Sequence, residues 1–375
     1  MTLQDRLLAT SFRGPGFDHI RLAAATIVLL HHCRGIQYPD IRNDLLFHYS
    51  GGFMDFGRFA VCVFFAISGF LVTPGLLRSG SIVQFGVNRA LRIFPGLVVN
   101  VVLAMLVLGP ILTNRSLTSY FTDPQLYTYA KNILTLTIRY LPGVVDRAGS
   151  PAIVNGALWT LHFEVLCYLA LAAIFVIGLL KRRKFLLALW GLFYAVYVGT
   201  STIPAFAVGL PERFVTFEEL FVYFATGAVL YVFRDRIPFT AAAAFAALAV
   251  MLAALPLGGG AIVMPVCLSY LTIFCGLSSL PGKVPLKHDL SYGVYLIHAP
   301  IMIWFTLAFP DVRIWWIAAA AIFLITLVLA YISWTYVEGP ALGKKKTVSN
   351  WVQRRVESIL PMLRLGSRTR ARPAE

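Results

Sequence analysis

DHIRLAAATIVLLHHC, residues 18–33, is an apolar run with Arg21 near its start and His31 and His32 near its end. The run is apolar enough to enter a bilayer, where an ionisable side chain costs a few kcal/mol or more and marks a functional position. Eleven positions at about 100° each come to three turns plus about 20°, so Arg21 and His32 share one helix face, about 16 Å apart along the axis. His31 is turned about 100° from His32 and is expected to point away from the cavity that His32 faces. The stretch therefore predicts a membrane helix with a polar seam, a guanidinium near one surface and an imidazole deeper in.

The rest of the chain agrees. Of its 375 residues 58% are hydrophobic and 13% charged, with a mean hydropathy of +0.76; soluble domains carry about 25% charged residues. The fold class expected is all-α, a polytopic membrane protein with about ten spans near 18–36, 53–77, 91–112, 156–180, 185–204, 217–233, 239–256, 261–280, 290–309 and 313–337. The net charge of +15 sits in loops and tail, which argues against a nucleic-acid partner. One set of loops and the tail hold 21 basic residues, among them Arg13, Lys181, Arg182, Arg183, Lys184, Lys283, Arg370 and Arg372. The alternating loops hold eight: Arg34, Arg42, Arg115, Lys131, Arg139, Arg147, Arg213 and Arg313. That asymmetry predicts both termini in the cytoplasm.

The five cysteines (Cys33, Cys62, Cys167, Cys267 and Cys275) have no metal-ligand spacing and read as small buried hydrophobes. The first apolar run lacks a small-residue cleavage site and reads as an uncleaved anchor. Residues 1–343 are expected to form the membrane domain, and 344–375 a basic cytoplasmic tail. Between Ser349 and Leu365 the tail places Trp351, Val352, Val356, Ile359, Leu360 and Leu363 at helical spacing among arginines, a pattern suited to an amphipathic helix on an anionic leaflet. The long loop near 113–155 carries turn signals and either covers a site or merely connects. The absence of an internal repeat disfavours an inverted-repeat transporter.

Further polar groups interrupt the spans. Phe64-Phe65-Ala66-Ile67-Ser68-Gly69-Phe70 puts a Ser-Gly pair inside the second, a sign of close helix packing or of a cavity hydroxyl. Arg89 and Arg92 share a face where the third span opens, suited to an anion such as a phosphate. The fourth span carries Trp159-Thr160-Leu161-His162-Phe163-Glu164 and then Tyr168, and a carboxylate two turns inside an apolar helix points to function or a buried partner. Glu164 falls at the depth of His32, so the two are expected to be able to meet, the carboxylate fixing the imidazole's tautomer. Ser291, Tyr295 and His298 form a polar stripe in the ninth span, and Glu338 closes the tenth, where a lysine is an ordinary partner.

At these residues the chain resembles the acyltransferase 3 family of integral-membrane O-acyltransferases, which includes O-antigen acetylases and rhizobial exopolysaccharide and Nod-factor acetyltransferases. The resemblance covers about 18–340. The family's Arg-x10-His is met by Arg21 and His32, its FFxxSGF by Phe64 to Phe70, and its Arg-x-x-Arg by Arg89 and Arg92. Trp159, Thr160, Leu161, Glu164 and Tyr168 meet W-[ST]-L-x-x-E-x-x-x-Y. Ser291 through Pro300 meet S-Y-x-x-Y-L-x-H-x-P, and Glu338 and Pro340 approximate V-E-x-P. His19 departs from the family's L-D-G-L-R-like opening, where a small residue is usual. With a short basic tail after the last span, the chain looks like a stand-alone member without an appended domain.

The resemblance implies an O-acyltransferase of the bacterial cytoplasmic membrane. It would move an acyl group, most simply acetyl, from acetyl-CoA or another acyl-CoA to a hydroxyl of a surface or lipid-linked glycan. No permanently bound cofactor and no metal are expected, and a glycan-biosynthesis complex is a plausible setting. His32 would be general base or acyl carrier and Glu164 its partner; Arg21, Arg89 and Arg92 would bind the donor's phosphates; Ser68, Trp159, Tyr168, Ser291, Tyr295 and His298 would line the cavity. Two rivals stay open: a proton-coupled transporter or flippase using His32 and Glu164 as a relay, and a structural subunit of a glycan-export complex.

Overall fold

The computed structural model describes residues 1–12, 14–37, 44–279, 286–312 and 314–368, with side chains described up to Ser358. Arg13, Arg42, Lys283, Arg313, Arg370 and Arg372, counted above in the loop charge, lie outside the described residues, as do the side chains of Ile359, Leu360 and Leu363. Every predicted span is a helix: α1 (Phe17–Gln37), α2 (Phe56–Ser79), α3 (Ile82–Leu112), α4 (Gly156–Val176), α5 (Arg183–Thr202), α6 (Glu212–Val232), α7 (Ala241–Ala254), α8 (Gly260–Leu277), α9 (Ser291–Ala308) and α10 (Trp315–Gly343). Eight of these are long and apolar enough to cross a membrane; α7, at 14 residues, is too short, and α1 carries too many polar groups. A last helix, α11 (Lys345–Arg368), follows almost at once and packs its first turns on α3, burying Ser349.

Local chemistry sets the helix ends. Asp55 caps α2 by accepting from the Arg58 N–H (2.8 Å), and Ser81 caps α3 by accepting from Gln84 (3.2 Å). Gly80, at φ +61°, ends α2 in the left-handed conformation that glycine adopts without strain. Two Gly-Pro pairs fall inside long helices, and neither breaks its helix. Ala104–Leu108 widens to a π-turn just before Gly109-Pro110, and Trp334–Glu338 does the same before Gly339-Pro340. Proline lacks an N–H and crowds the carbonyl four residues back; a widened turn accommodates both defects, so the helix continues. Hence α10 runs to Gly343, past the predicted end at 337.

Pro300 inside α9 poses the same problem and meets a different answer. It leaves the Leu296 carbonyl without its helical donor. The Nδ2 groups of Asn100 (3.1 Å) and Asn155 (2.9 Å) donate to that oxygen instead, and Asn155 also donates to Asn100 Oδ1 (3.1 Å). Neighbouring helices thus satisfy a carbonyl that lipid cannot.

The core is the α1–α2–α6–α9 group. On α2 and α6 the backbones approach so closely that a Cβ on Gly69 would lie 1.9 Å from the Phe224 carbonyl oxygen, and one on Gly227 would lie 2.2 Å from that of Ala66. The Ser68-Gly69 pair therefore serves close packing, as the small-residue rule expects, while Ser68 itself faces a cavity. α1 packs against α2 and α9, and its two ends, bearing Arg21 and His32, mark the two ends of the site.

Candidate active site

Two cavities enter the helix bundle from opposite ends. At the Arg21 end a slot of about 90 Å³ is lined by Arg21, Arg89, Arg92, Ser68, Glu164 and Tyr168, with Ser291 and Tyr292 at its edge. At the His32 end a far larger cavity, about 850 Å³, is lined by His31, His32, Trp159, His162 and Arg58 among others. Val61 and Tyr295 line both, so these side chains form the septum between them. The Tyr295 hydroxyl is fixed there by Thr160 Oγ1 (2.7 Å) and the Ala157 carbonyl (3.1 Å), and Phe64 packs its ring edge-on against Tyr295.

His32 lines the larger cavity, and its partner is His298, not Glu164. His32 Nδ1 lies 2.9 Å from His298 Nε2, with the rings stacked at 5.1 Å between centroids. His298 Nδ1 lies 3.1 Å from the Val294 carbonyl, and a carbonyl only accepts. The Nδ1 of His298 therefore carries the proton, and its Nε2 is an acceptor. It follows that His32 donates from Nδ1, which leaves His32 Nε2 as a bare lone pair with no partner among the described residues. This tautomer rests on the hydrogen-bond network. His298, fully buried, occupies the position beside His32 where the sequence reading expected Glu164.

Glu164 stands instead in the smaller slot, where the Tyr168 hydroxyl donates to its Oε1 and Ser68 shares a hydrogen bond with that same hydroxyl (2.9 Å). The equal depth expected of Glu164 and His32 is not met: Glu164 lies on the Arg21 side of the septum, among residues of α2 and α3. The Arg89 guanidinium stacks on the Tyr168 ring, 5.7 Å from its centroid.

His31 also departs from expectation. It lines the same cavity as His32, because the cavity wraps around the end of α1 and residues about 100° apart both front on it. His31 Nδ1 lies 3.2 Å from Asp44 and Nε2 lies 3.5 Å from Asp55, so both ring nitrogens face carboxylates. Gly57 makes room for this ring; a Cβ there would come within 2.6 Å of His31 Cδ2.

At the Arg21 end an aspartate organises the arginines. Asp289, just before α9, binds Arg92 at 2.6 Å and Arg21 at 3.6 Å, and accepts from Ser291 Oγ at 2.5 Å. Arg21 also reaches Asp18 at 3.4 Å. Burial alone would raise the Asp289 carboxyl, but Arg92 and Arg21 hold it down at about 2. Ser291 is thus a ligand of Asp289 more than a free cavity hydroxyl. Lys345, at the start of α11, has its pKa lowered first by burial and then by Arg89, Arg92 and Arg21, the mark of a cation crowded by cations. Of the predicted arginines, Arg89 is the one without a carboxylate partner among the described residues. Glu338 is buried rather than lysine-paired: Ser333 donates to its Oε1 (2.8 Å), and its Oε2 has no hydrogen-bond partner among the described residues.

Of the residues named from sequence, Arg21, Arg89, Arg92, Ser68, Glu164, Tyr168, Ser291 and Tyr295 share the slot, and His32, Trp159 and Tyr295 share the large cavity. His298 backs His32 from within the core. The sequence reading missed Asp289, Arg58, Asp55 and Lys345. Arg58 alone carried a usable signal, an arginine inside the apolar α2; its Nη2 lies 2.6 Å from buried Glu219, while its side chain stays 43% exposed to the cavity.

Two known proteins are similar to this chain over most of its length. The chain is 30% identical over 358 residues to "Nodulation protein 10" of Rhizobium leguminosarum bv. viciae, covering 87% of this chain and 92% of that one. It is 29% identical over 296 residues to the "O-acetyl transferase" of Shigella phage Sf6, covering 76% of this chain and 84% of that one. No solved structure matches. The family model described as an acyltransferase domain matches residues 15–335, a span that holds every residue lining the two cavities. A polytopic helical chain matched over that length belongs to the acyltransferase 3 family and is a membrane acyltransferase.

Proposed function

We propose that this enzyme carries an acyl group, most simply acetyl, from a cytoplasmic acyl-CoA to a hydroxyl of a cell-surface or lipid-linked glycan on the far side of the bacterial cytoplasmic membrane. The slot at the Arg21 end faces the cytoplasm in this reading, in line with the basic loops on that side. Arg89 and Lys345 bind donor phosphates by charge-assisted hydrogen bonds, and the Asp289 clamp holds Arg21 and Arg92 as the rigid rim of the entrance. The pantetheine arm enters the slot, where Glu164 and Ser68 offer partners to its amides. The thioester then meets the septum at Val61 and Tyr295.

The observation that carries the reading is the bare Nε2 of His32, a residue lining the opposite cavity. From there His32 takes the proton of the acceptor hydroxyl as its oxygen attacks the thioester carbonyl. The C–O bond forms, the C–S bond breaks, and the imidazolium returns the proton to the departing thiolate. His298 supports the imidazolium by accepting from Nδ1–H throughout. Trp159 gives the acceptor an aromatic face of the kind on which sugar rings stack. Enclosure of the slot keeps water from the thioester.

The test is the O-acyl content of surface glycan in a deletion strain complemented with wild type or His32→Ala, with membrane abundance matched. Wild type restores the ester and His32→Ala does not. Full restoration by His32→Ala would remove the base from the mechanism, and absence of any protein-dependent ester would favour a transporter.

A further inference from the structure

The large cavity holds charge that the transfer step does not use. On the His32 side of the bundle, Arg115 pairs with Asp123 and Arg147 donates to the Thr306 carbonyl (3.1 Å). Among the described residues, Lys131, Arg139 and Arg213 have no partner on that side, and two of these three, Arg139 and Arg213, line the cavity. They come from different parts of the chain, Arg139 from the long loop before α4 and Arg213 from the first turn of α6, and both line this one cavity.

The carboxylates nearby do not neutralise them. Asp55 accepts from the Arg58 backbone N–H and flanks His31. Glu219 is taken by Arg58, and Glu218 accepts from Thr200 (2.7 Å). Glu212 is the one cavity carboxylate left, against Arg139, Arg213 and the exposed part of Arg58. A chain that keeps basic residues scarce on this side has placed two unpaired ones on the wall of the cavity that contains His32.

We propose that the acceptor is an acidic saccharide, whose carboxylate or phosphate is held by Arg139 and Arg213 while a nearby ring hydroxyl faces His32 Nε2. This rests on the acyltransferase reading of that cavity. Arginine's planar fork matches either oxyacid group bidentately, so the two guanidiniums select the charge and fix the sugar's register, while Trp159 supplies sequence-tolerant stacking. Two sources carry this chemistry: a uronate within the glycan, and the pyrophosphate that ties a precursor to its lipid.

The experiment uses the full chain in proteoliposomes with radiolabelled acetyl-CoA. Acceptors are the cell's own surface glycan stripped of esters by base, the same glycan after carboxyl reduction, and the lipid-linked precursor extracted from membranes. Loss of transfer on carboxyl reduction assigns the charge to a uronate; transfer confined to the lipid-linked form assigns it to the pyrophosphate. In either case Arg139→Gln/Arg213→Gln lowers kcat/KM for the charged acceptor by about 10- to 100-fold, with KM for acetyl-CoA unchanged, and the double lysine variant recovers part of the loss. Equal use of native and carboxyl-reduced polymer, with the double glutamine variant as active as wild type, overturns the proposal while His32→Ala still abolishes transfer. Should wild type and His32→Ala behave alike on every acceptor, the underlying acyltransferase reading fails instead.

Discussion

Replacing His298 by phenylalanine keeps a stacked ring beside His32 but removes the nitrogen that accepts from Nδ1–H. In wild type that hydrogen bond is 2.9 Å long and lies in a fully buried position, with His298 itself anchored on Val294. Without it, a buried N–H loses its partner at a cost of about 1–3 kcal/mol. The ring can recover some of this by moving its proton to Nε2, which is the wrong tautomer for a base. Either way the competent form of His32 is disfavoured by about that amount, and each 1.4 kcal/mol is about tenfold in rate. We expect kcat to fall about 10- to 100-fold with KM for acyl-CoA unchanged, since the donor slot lies across the septum. His32→Ala should cost more, about 10²–10⁴-fold, the usual worth of a general base. The assay is steady-state transfer in proteoliposomes with equal reconstituted protein. A His298→Phe enzyme with at least half of wild-type kcat would refute the tautomer argument. A loss confined to donor KM would refute it equally, since His298 would then act on the other cavity.

Asp289→Asn leaves Arg21 and Arg92 without their shared carboxylate and should destabilise the solubilised protein by about 3–5 kcal/mol, read as a lowered melting temperature. The depressed Asp289 carboxyl also predicts an acid response: its contribution, about 2 kcal/mol, is complete above the ordinary value of 3.8 and is lost as pH falls toward 2, a slope that Asp289→Asn should lack. Asn155→Leu strips a donor from the Leu296 carbonyl and should cost about 1–3 kcal/mol, and less in a Pro300→Ala background, where the backbone N–H returns while the bonds to Asn100 and Ala157 stay lost; an unchanged cost in the double-mutant cycle would separate the two residues. Gly227→Leu should abolish membrane accumulation, because even a Cβ would strike the Ala66 backbone; normal abundance by immunoblot would show that α2 and α6 tolerate separation.

Much of this site could be read from residue spacing along single helices. The 3.6-residue period put Arg21 and His32 on one seam of α1, and the structure leads that seam from one cavity to the other. Depth along a helix was legible for Arg89, Arg92 and Ser291, which all collect at the Arg21 end, but not for Glu164. Lateral neighbours were not. Glu164 and His298 project from different helices on opposite sides of the Thr160–Tyr295 hydrogen bond, and only packing decides which meets His32. Asp289 was invisible for another reason: an aspartate in a short loop is ordinary, and its role exists only because Arg92 and Arg21 arrive from two other helices. The π-turns were hidden because Gly-Pro normally signals an end, and whether a helix stops or widens depends on what packs around it. His31 was misjudged by assuming that a cavity touches one face of a helix, when this one wraps around its end.

The septum at Val61 and Tyr295 has an electrical consequence. Deep cavities from both sides thin the insulating layer of the bilayer, so most of the membrane voltage falls across those few side chains. A fixed opening there would leak ions at about 2.3 kcal/mol per charge for every 100 mV. In the proposed reaction the group crossing outward is formally an acyl cation, exchanged for a proton that ends on the thiol inside. The two charges cancel. Surface esterification would then proceed at the same driving force in energised and de-energised cells, and the cell would decorate its exterior without discharging its membrane.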